Sequence, residues 1–274
     1  MNIKKKPLVS IILPTYNWKK ERFIESVNSI LNQSFCNFEL IIINDASTNN
    51  IEETIEELKL KDERIVYIKN ENNLKLTKSL NKWISLANGK YIARADDDDI
   101  WSDEKQLKTQ IEFMENNLDY WIVWTNAEII DENWNYQYII NRPWTDKELR
   151  ENMLVWNRFI HSSIVIRKAI LDKIWWYNPK WNMVEDYELW LRIWTISKIR
   201  NLTDINSKVR VNTKSITRKN YRKQKWLTLK LFFKYFKYYP KKYCLKALCF
   251  RFWELIIPPQ IIRYILKKMR HIGI

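Results

Sequence analysis

The sequence predicts an α/β fold, a mainly parallel central sheet with flanking helices, followed by a basic helical extension. Through residues 8–94 short apolar runs of strand type alternate with segments of helical periodicity, and this βαβαβαβ order implies a doubly wound sheet with right-handed crossovers. With 46% apolar and 29% charged residues in a length of 274, the chain has a globular composition and can bury a sizeable core. The formal net charge of +15 is uneven: 17 of the 47 Lys and Arg residues, but one of the 32 acidic residues, lie from Lys214 onward. The boundary is therefore set at 1–218 for the α/β domain and 219–274 for the extension.

Taken in order, residues 8–13 (LVSIIL) read as a buried strand and 19–32 as a helix with Phe23, Ile24, Val27, Ile30 and Leu31 on one face. A second strand at 39–43, a helix at 51–60, a third strand at 64–68, a helix at 74–87 and a fourth strand at 90–94 follow. The pattern then changes to a helix at 103–117, strands at 121–130 and 136–140, a helix near 146–155 and a strand at 162–167. A helix begins at Glu185 and runs to about Ile196, and mixed strands near 199–211 close the domain. From about 219 the chain reads as amphipathic helices broken at Pro240 and at Pro258-Pro259. No G-x-G-x-x-G follows the first strand, so a dinucleotide fold has no support.

Several classes are excluded. No run reaches the roughly 18 apolar residues of a spanning helix. The N-terminal LVSIIL is a poor signal peptide and a good strand. Three cysteines without metal spacing argue against a disulfide scaffold. With two histidines, His161 and His271, a metal would have to be held by oxygen.

Glycine and tryptophan usage is anomalous. Two glycines are far below the usual level of roughly 7%, and fifteen tryptophans stand at many places that suit glycine. Trp134 occupies a hairpin turn, and Trp175-Trp176 precede Tyr-Asn-Pro. Eleven positions read as glycine codons of the UGA type translated as tryptophan: Trp18, Trp83, Trp121, Trp124, Trp134, Trp144, Trp156, Trp175, Trp176, Trp181 and Trp194. Trp101, Trp190, Trp226 and Trp253 sit in apolar contexts and read as true tryptophan. A bulky residue forced to φ > 0 costs about 1–3 kcal/mol, so many such sites would exhaust a typical stability.

The residues that carry chemistry lie at strand ends, where ligands of open α/β sheets bind. Asp45 follows the second strand and could accept a ligand N–H, or serve as ordinary turn chemistry. Asp96, Asp97, Asp98 and Asp99 follow the fourth. Two unit charges 4 Å apart cost about 4 kcal/mol at an effective dielectric near 20. A divalent cation would convert that repulsion into binding, and hard carboxylates suit Mg2+ or Mn2+. The alternative is a solvated cap on the next helix. Glu185-Asp186 open a helix, either as partners of its dipole or as a general base.

These segments, VSIILPTYNW, SILNQSF, FELIIINDAST, LTKSLN, GKYIARADDDDIW, the stretch around HSSIVIRK, VEDYELWLR and VRVNTKSIT, resemble a family 2 glycosyltransferase of the GT-A fold, of the type that builds bacterial polysaccharides. The likeness covers roughly residues 7–217, and glycine at Trp18, Trp124, Trp175 and Trp176 improves it. The resemblance implies that Pro14, Thr15 and Tyr16 border the nucleotide base and that Asp45 hydrogen-bonds uracil. Asp96 and Asp98 would be the ends of a D-x-D motif enclosing Asp97, with Asp96 touching ribose or metal and Asp98 ligating it. Arg210 would lie near the diphosphate, Asp186 would be the base, and Glu185 would stand beside it. Relatives often carry a metal-binding histidine where this chain has Asn212, whose amide oxygen can also ligate a hard cation. Lys75 stands where relatives have glycine. His161 matches a position near the acceptor side, or is a hydrogen-bonded core histidine.

The implied activity is inverting, metal-dependent transfer of a hexosyl or N-acetylhexosaminyl group. The donor would be a nucleotide sugar, a UDP-sugar on the uracil contact, and the acceptor a hydroxyl of a glycan or lipid-linked molecule. The basic, aromatic extension suits an anionic membrane surface, placing the protein in the cytoplasm at the inner face of the cytoplasmic membrane; the alternative is that its helices pack back on the α/β domain or on a partner subunit. Metal-dependent phosphoryl transfer lacks a phosphate-cradling loop. Nucleic-acid binding through the extension fits poorly with an acidic loop on the folded domain.

Overall fold

β1 (Val9–Thr15), β2 (Phe38–Asn44), β3 (Ile65–Lys69) and β4 (Tyr91–Arg94) pair in parallel in the order β3-β2-β1-β4. The structure, a computed structural model, describes residues 6–140, 145–155, 157, 159–211, 220–257 and 261. Alternate side chains leave opposite faces of a strand, and the strands divide accordingly. Ile12, Ile41, Ile43 and Ile92 enter one core; Ile11, Leu13, Leu40 and Ile42 enter the other. α1 (Lys20–Leu31), α2 (Ile51–Lys61) and α4 (Gln106–Asn116) cover the second face, while α3 (Leu76–Ile84) covers the first. Gly89, just before β4, has no room for a side chain, since a Cβ there would lie 2.4 Å from the Ser10 amide nitrogen.

Beyond β4 the sheet becomes mixed. β5 (Ile100–Trp101), β6 (Tyr120–Ile130), β7 (Tyr136–Ile140), β8 (Val165–Arg167) and β9 (Lys198–Arg210) extend the order to β4-β8-β6-β9-β5, with β7 on β6. β8 enters antiparallel between β4 and β6, whereas β9 runs parallel to β6. α5 (Asp146–Asn152) starts with a reciprocal cap in which the Thr145 amide donates to Glu148 at 2.8 Å. α6 (Lys168–Ile174) and α7 (Glu185–Trp194) pack on the first face.

Periodicity does not reveal β5, which has two residues, or the seven-residue α6. The expected strand at 162–167 starts instead as a 3-10 turn at His161–Ser163, because those residues serve the acidic loop described below. The segment 199–211 is one long strand rather than several, since it follows β6 along its whole length.

The described part of the extension forms α8 (Tyr221–Tyr235) and α9 (Lys241–Ile256). Leu231, Phe232, Tyr235, Tyr239 and Ala247 join the core that holds Trp190 and Leu191 of α7. The opposite side exposes Trp226, Phe233, Phe236, Tyr238, Leu245, Phe252 and Ile256. No helix among the described residues is long and apolar enough to cross a membrane.

The tryptophan backbone supports the glycine reading at three positions. Trp134, Trp175 and Trp176 have φ of 68°, 63° and 52°, in the left-handed region that disfavours bulky residues. Trp175 is the left-handed cap that ends α6, with its side chain 87% exposed, at a position where glycine is the usual residue. Trp124 is buried in β6 with its ring centroid 3.8 Å from that of Phe159, a crowded contact. Trp194 departs from the expectation of exposure or crowding: it is buried, and its indole donates to Asp146 at 2.9 Å. Trp144 and Trp156 lie outside the described residues. Trp175→Gly should stabilise the protein by about 1 kcal/mol, after allowing for the greater unfolded-state freedom of glycine, which raises Tm by about 2–4 °C in thermal unfolding. The gene should read UGA at Trp134, Trp175 and Trp176 and UGG at Trp101 and Trp190; UGG at Trp134 and Trp175 would overturn the recoding.

Candidate active site

The parallel strands end side by side, which brings their following loops to one edge. Thr15 of β1 is in register with Asn44 of β2, and Asn44 with Lys69 of β3. Asp45 is buried directly behind this edge, its carboxylate accepting hydrogen bonds from Asn70 Nδ2 at 2.8 Å and from the Leu74 and Lys75 amides at 3.0 Å each. Oδ2 takes one of these bonds, so it keeps acceptor capacity for a ligand N–H. The clamp also explains Lys75, whose φ of 67° and ψ of 158° form a conformation normally reserved for glycine. Pro14 and Thr15 are at the end of β1, and the Tyr16 ring after them is exposed. Asn17 ties this loop to the next one by accepting from the Thr48 amide at 2.7 Å.

Ile12 of β1 is in register with Arg94, so the acidic loop continues beside the end of β1. Its four carboxylates do different things. Asp96 is ion-paired to Arg94, whose side chain is buried. Asp99 is structural: it accepts from Ser162 Oγ at 2.5 Å and from the Arg210 amide at 2.9 Å, linking the 3-10 turn and the end of β9 to the loop. Burial pushes its carboxyl well above the usual range, and the charges of Asp98 and Asp96 add to this. Asp97 is also buried and raised, first by desolvation and then by Asp96, while the Thr15 hydroxyl and Arg94 oppose the shift. Burial lifts Asp98 to about 8, reinforced by Asp97 and Asp96 and opposed by Arg210.

Arg210, the last residue of β9, has a buried guanidinium 3.4 Å from Glu25. Its Nε and Nη1 have no hydrogen-bond partner among the described residues, although the guanidinium lies 4.9 Å from the centroid of the Trp134 ring. Unpaired buried donors are costly, and a diphosphate is a natural acceptor for a guanidinium.

A second set of carboxylates comes from the start of α7 and its surroundings. Asp186 accepts from Asn157 Nδ2 at 2.7 Å. Glu185 is buried, one of its oxygens has no partner, and burial with the adjacent Asp186 charge pushes its carboxyl up to about 7. His161 and Tyr177 share a hydrogen bond of 2.7 Å. Burial, aided by Arg94, lowers the imidazole to about 4, and burial raises the phenol, so both are neutral. Both feel the charges of Asp96 and of Asp186, which places the acidic loop and the start of α7 around one space.

Of the residues singled out by sequence, Pro14, Thr15, Tyr16, Asp45, Asp96, Asp97, Asp98 and Arg210 lie along this edge, and Glu185 and Asp186 face it. Asn212 lies outside the described residues. Sequence reading missed Arg94, although a cation inside the apolar strand YIAR beside aspartates was a usable signal. It also missed Asn157, Ser162 and Tyr177, which nothing local marks.

Among the described residues no group of three or more His, Cys, Asp and Glu side chains forms a complete metal site. The donors do fit a hard dication in part. Asp96 and Asp98 offer oxygens, no described side chain donates to Asp98, and burial among like charges raises its carboxyl.

Residues 10–175 match glycosyl transferase family 2. The chain belongs to that family. An uncharacterized glycosyltransferase of Methanocaldococcus jannaschii is 38% identical over 189 residues, 68% of this chain and 64% of its own length, so this chain spans less than two thirds of that relative. The UDP-Glc:alpha-D-GlcNAc-diphosphoundecaprenol beta-1,3-glucosyltransferase of Escherichia coli is 31% identical over 80% of this chain and 84% of its own. In fold, a mannosyltransferase of Pyrobaculum calidifontis in complex with GDP-Man and Mn2+ superposes with a TM-score of 0.69 at 14% identity, covering 92% of this chain and 73% of the other. The architecture of this family 2 chain is thus that of GT-A glycosyltransferases.

The raised carboxyls set a stability prediction. Asp98 at about 8 holds a proton when folded that it releases when unfolded, so stability falls as pH rises from the ordinary carboxylate range through that value. Between about pH 7 and 8.5, above the ordinary histidine range, the metal-free protein should lose Tm steadily. Saturating Mn2+, which binds the ionised form, should flatten that slope. A slope that Mn2+ leaves unchanged would count against a cation at the acidic loop.

Proposed function

We propose that this chain transfers a sugar from a UDP-sugar to a hydroxyl of a glycan or lipid-linked acceptor, with inversion, in cell-surface polysaccharide synthesis. The reading is carried by Asp96, Asp98 and Arg210 at the strand ends together with Glu185 and Asp186 at the start of α7, with Asp96 and Asp186 both within electrostatic reach of the hydrogen-bonded His161 and Tyr177. The name of the E. coli relative, with its UDP-Glc donor and diphosphoundecaprenol acceptor, supports the choice of substrates.

In this mechanism the remaining acceptor capacity of Asp45 receives the uracil N–H, and Pro14, Thr15 and Tyr16 border the base. The two unpaired nitrogens of Arg210 donate to the diphosphate. Asp96 and Asp98, with Asn212 as a third candidate, would hold Mn2+ or Mg2+, which when bound offsets the charge of the leaving diphosphate. Asp97, buried with one carboxylate oxygen lacking a hydrogen-bond partner among the described residues, belongs with the donor-binding residues. On the opposite side Asp186, oriented by Asn157, accepts the proton of the attacking hydroxyl as the new glycosidic bond forms and the donor bond breaks. Glu185, buried beside it, is the second carboxyl of the pair. One base on the acceptor side suits one direct displacement, with no covalent sugar–enzyme intermediate. UDP release from a panel of nucleotide sugars tests the donor. Asp186→Asn should lower turnover by about two to four orders of magnitude with UDP affinity little changed, and Asp98→Ala should abolish both transfer and Mn2+-dependent UDP binding. Full turnover in both variants would sink the assignment.

The exposed aromatic and basic side of α8 and α9 supports peripheral attachment at the inner face of the cytoplasmic membrane, where a lipid-linked acceptor and nucleotide sugars meet. Phe233, Phe236 and Phe252 are exposed among Lys230, Lys237, Lys241, Lys242 and Lys246. Each cation near an anionic surface contributes about 1 kcal/mol, screened by salt. The full chain should sediment with phosphatidylglycerol vesicles at low salt, and Phe233→Ser/Phe236→Ser/Phe252→Ser should sediment much less. Equal sedimentation of the two proteins would remove this surface from consideration.

A further inference from the structure

The helices after residue 220 do more than present a surface, because two buried polar networks run from them to the residues next to Asp186. In the first, Glu188 of α7 is fully buried. It accepts from Tyr235 OH at 2.7 Å, from Lys234 Nζ at 2.8 Å, both on α8, and from Arg192 at 2.9 Å. In the second, Arg251 of α9 is buried and donates to Tyr187 OH at 2.9 Å and to the Leu154 carbonyl at 3.0 and 3.2 Å. The Tyr187 hydroxyl in turn donates to the Met153 carbonyl at 2.5 Å. Glu254, 2.9 Å from Arg251 and ion-paired to Lys225 of α8, neutralises the guanidinium.

The geometry closes a ring around Asp186. The segment that Arg251 grips, Met153–Leu154, leads directly to Asn157, the donor to Asp186. Tyr187 is the next residue after Asp186 on α7, and Glu188 the one after that. The carboxylate is therefore approached from its own helix and from the loop that orients it, and one guanidinium from α9 fixes the distance between the two. A planar guanidinium can serve the carbonyl, the hydroxyl and the carboxylate together in a fixed fork; an ammonium cannot.

We propose that Arg251 is a positioning residue for the acceptor-side base, acting through Tyr187 and the Met153–Leu154 backbone, with Lys234 and Tyr235 holding the same helix through Glu188. This rests on the reading of Asp186 as the base. Residues 221–256 then belong to the catalytic unit, and their inner face aligns the proton acceptor while their outer face remains free for another partner.

The test uses the full chain with Tyr187→Phe, which removes one hydroxyl, and Arg251→Lys, which keeps the ion pair but not the fork. Turnover is measured on the donor and acceptor that the wild-type chain uses, UDP binding with Mn2+ by calorimetry, and amide exchange over residues 184–190. Misplacing a reacting group by about 1 Å can cost about a hundredfold, so each variant should lose about tenfold to a hundredfold in kcat. UDP affinity should stay within about twofold, exchange at 184–190 should accelerate, and the double variant should be no worse than the poorer single one. Wild-type kcat in Tyr187→Phe, or a parallel loss of UDP binding and kcat, would overturn the proposal. If Arg251→Lys fails to fold, Tyr187→Phe decides alone. A wild-type chain that releases UDP from no donor overturns the glycosyl-transfer reading instead, and exchange at 184–190 in Tyr187→Phe still decides whether the brace exists.

Discussion

Four adjacent carboxylates crowded at the carboxyl edge of a parallel sheet, Asp97 and Asp99 buried and Asp96 and Asp98 partly so, form the constraint around which the rest of the structure is arranged. Their mutual repulsion is met locally in three ways. Arg94 neutralises Asp96 from within β4. Asp99 is held by a hydroxyl and a backbone amide and keeps its proton through burial. Arg210 arrives from the far end of the sheet, where β9 terminates against the loop. Asp98 is left raised, with no side-chain donor among the described residues. A site in this condition favours an incoming cation and the anion that accompanies it, which is the charge pattern of a nucleoside diphosphate.

The same constraint explains the irregular half of the sheet. Antiparallel β8 places the 3-10 turn at His161–Ser163 beside the acidic loop, where Ser162 reaches Asp99 and His161 reaches Tyr177. The long β9, parallel to β6, delivers Arg210 to the same edge. Opposite this edge, α7 carries Glu185 and Asp186, and its far side is locked to α8 and α9 by buried ions. Buried ion pairs add little net stability on their own, but they fix one arrangement when every partner is satisfied. In Glu188 and Arg251 that arrangement includes the backbone on both sides of Asp186.

Backbone geometry is independent of the side chains written at its turns. The left-handed positions at Trp134, Trp175 and Trp176 follow from a hairpin and a helix cap, and those turns persist with tryptophan in place. Lys75 is a different case. Its glycine-like conformation is imposed by two amides that both point at Asp45, so strain in the loop is held by a buried carboxylate at the strand ends.

Local patterning in the sequence determined the parallel half of the fold: the apolar runs and amphipathic helices from residue 8 to 94 have unambiguous period and turn chemistry. It also singled out candidate residues at the element ends, because Asp45, Asp96, Asp98, Glu185 and Asp186 each stand next to a strand end or open a helix. Short elements such as β5 and α6 escaped it, since two and seven residues contain too little period to read. Only the tertiary structure decided that Arg94 pairs with Asp96, that Asp99 is a structural clamp, that Asn157 orients Asp186, and that the basic extension buries one face against α7. Each of these contacts joins residues whose positions relative to one another are set by the packing of whole elements, and no local periodicity encodes a partner on another element.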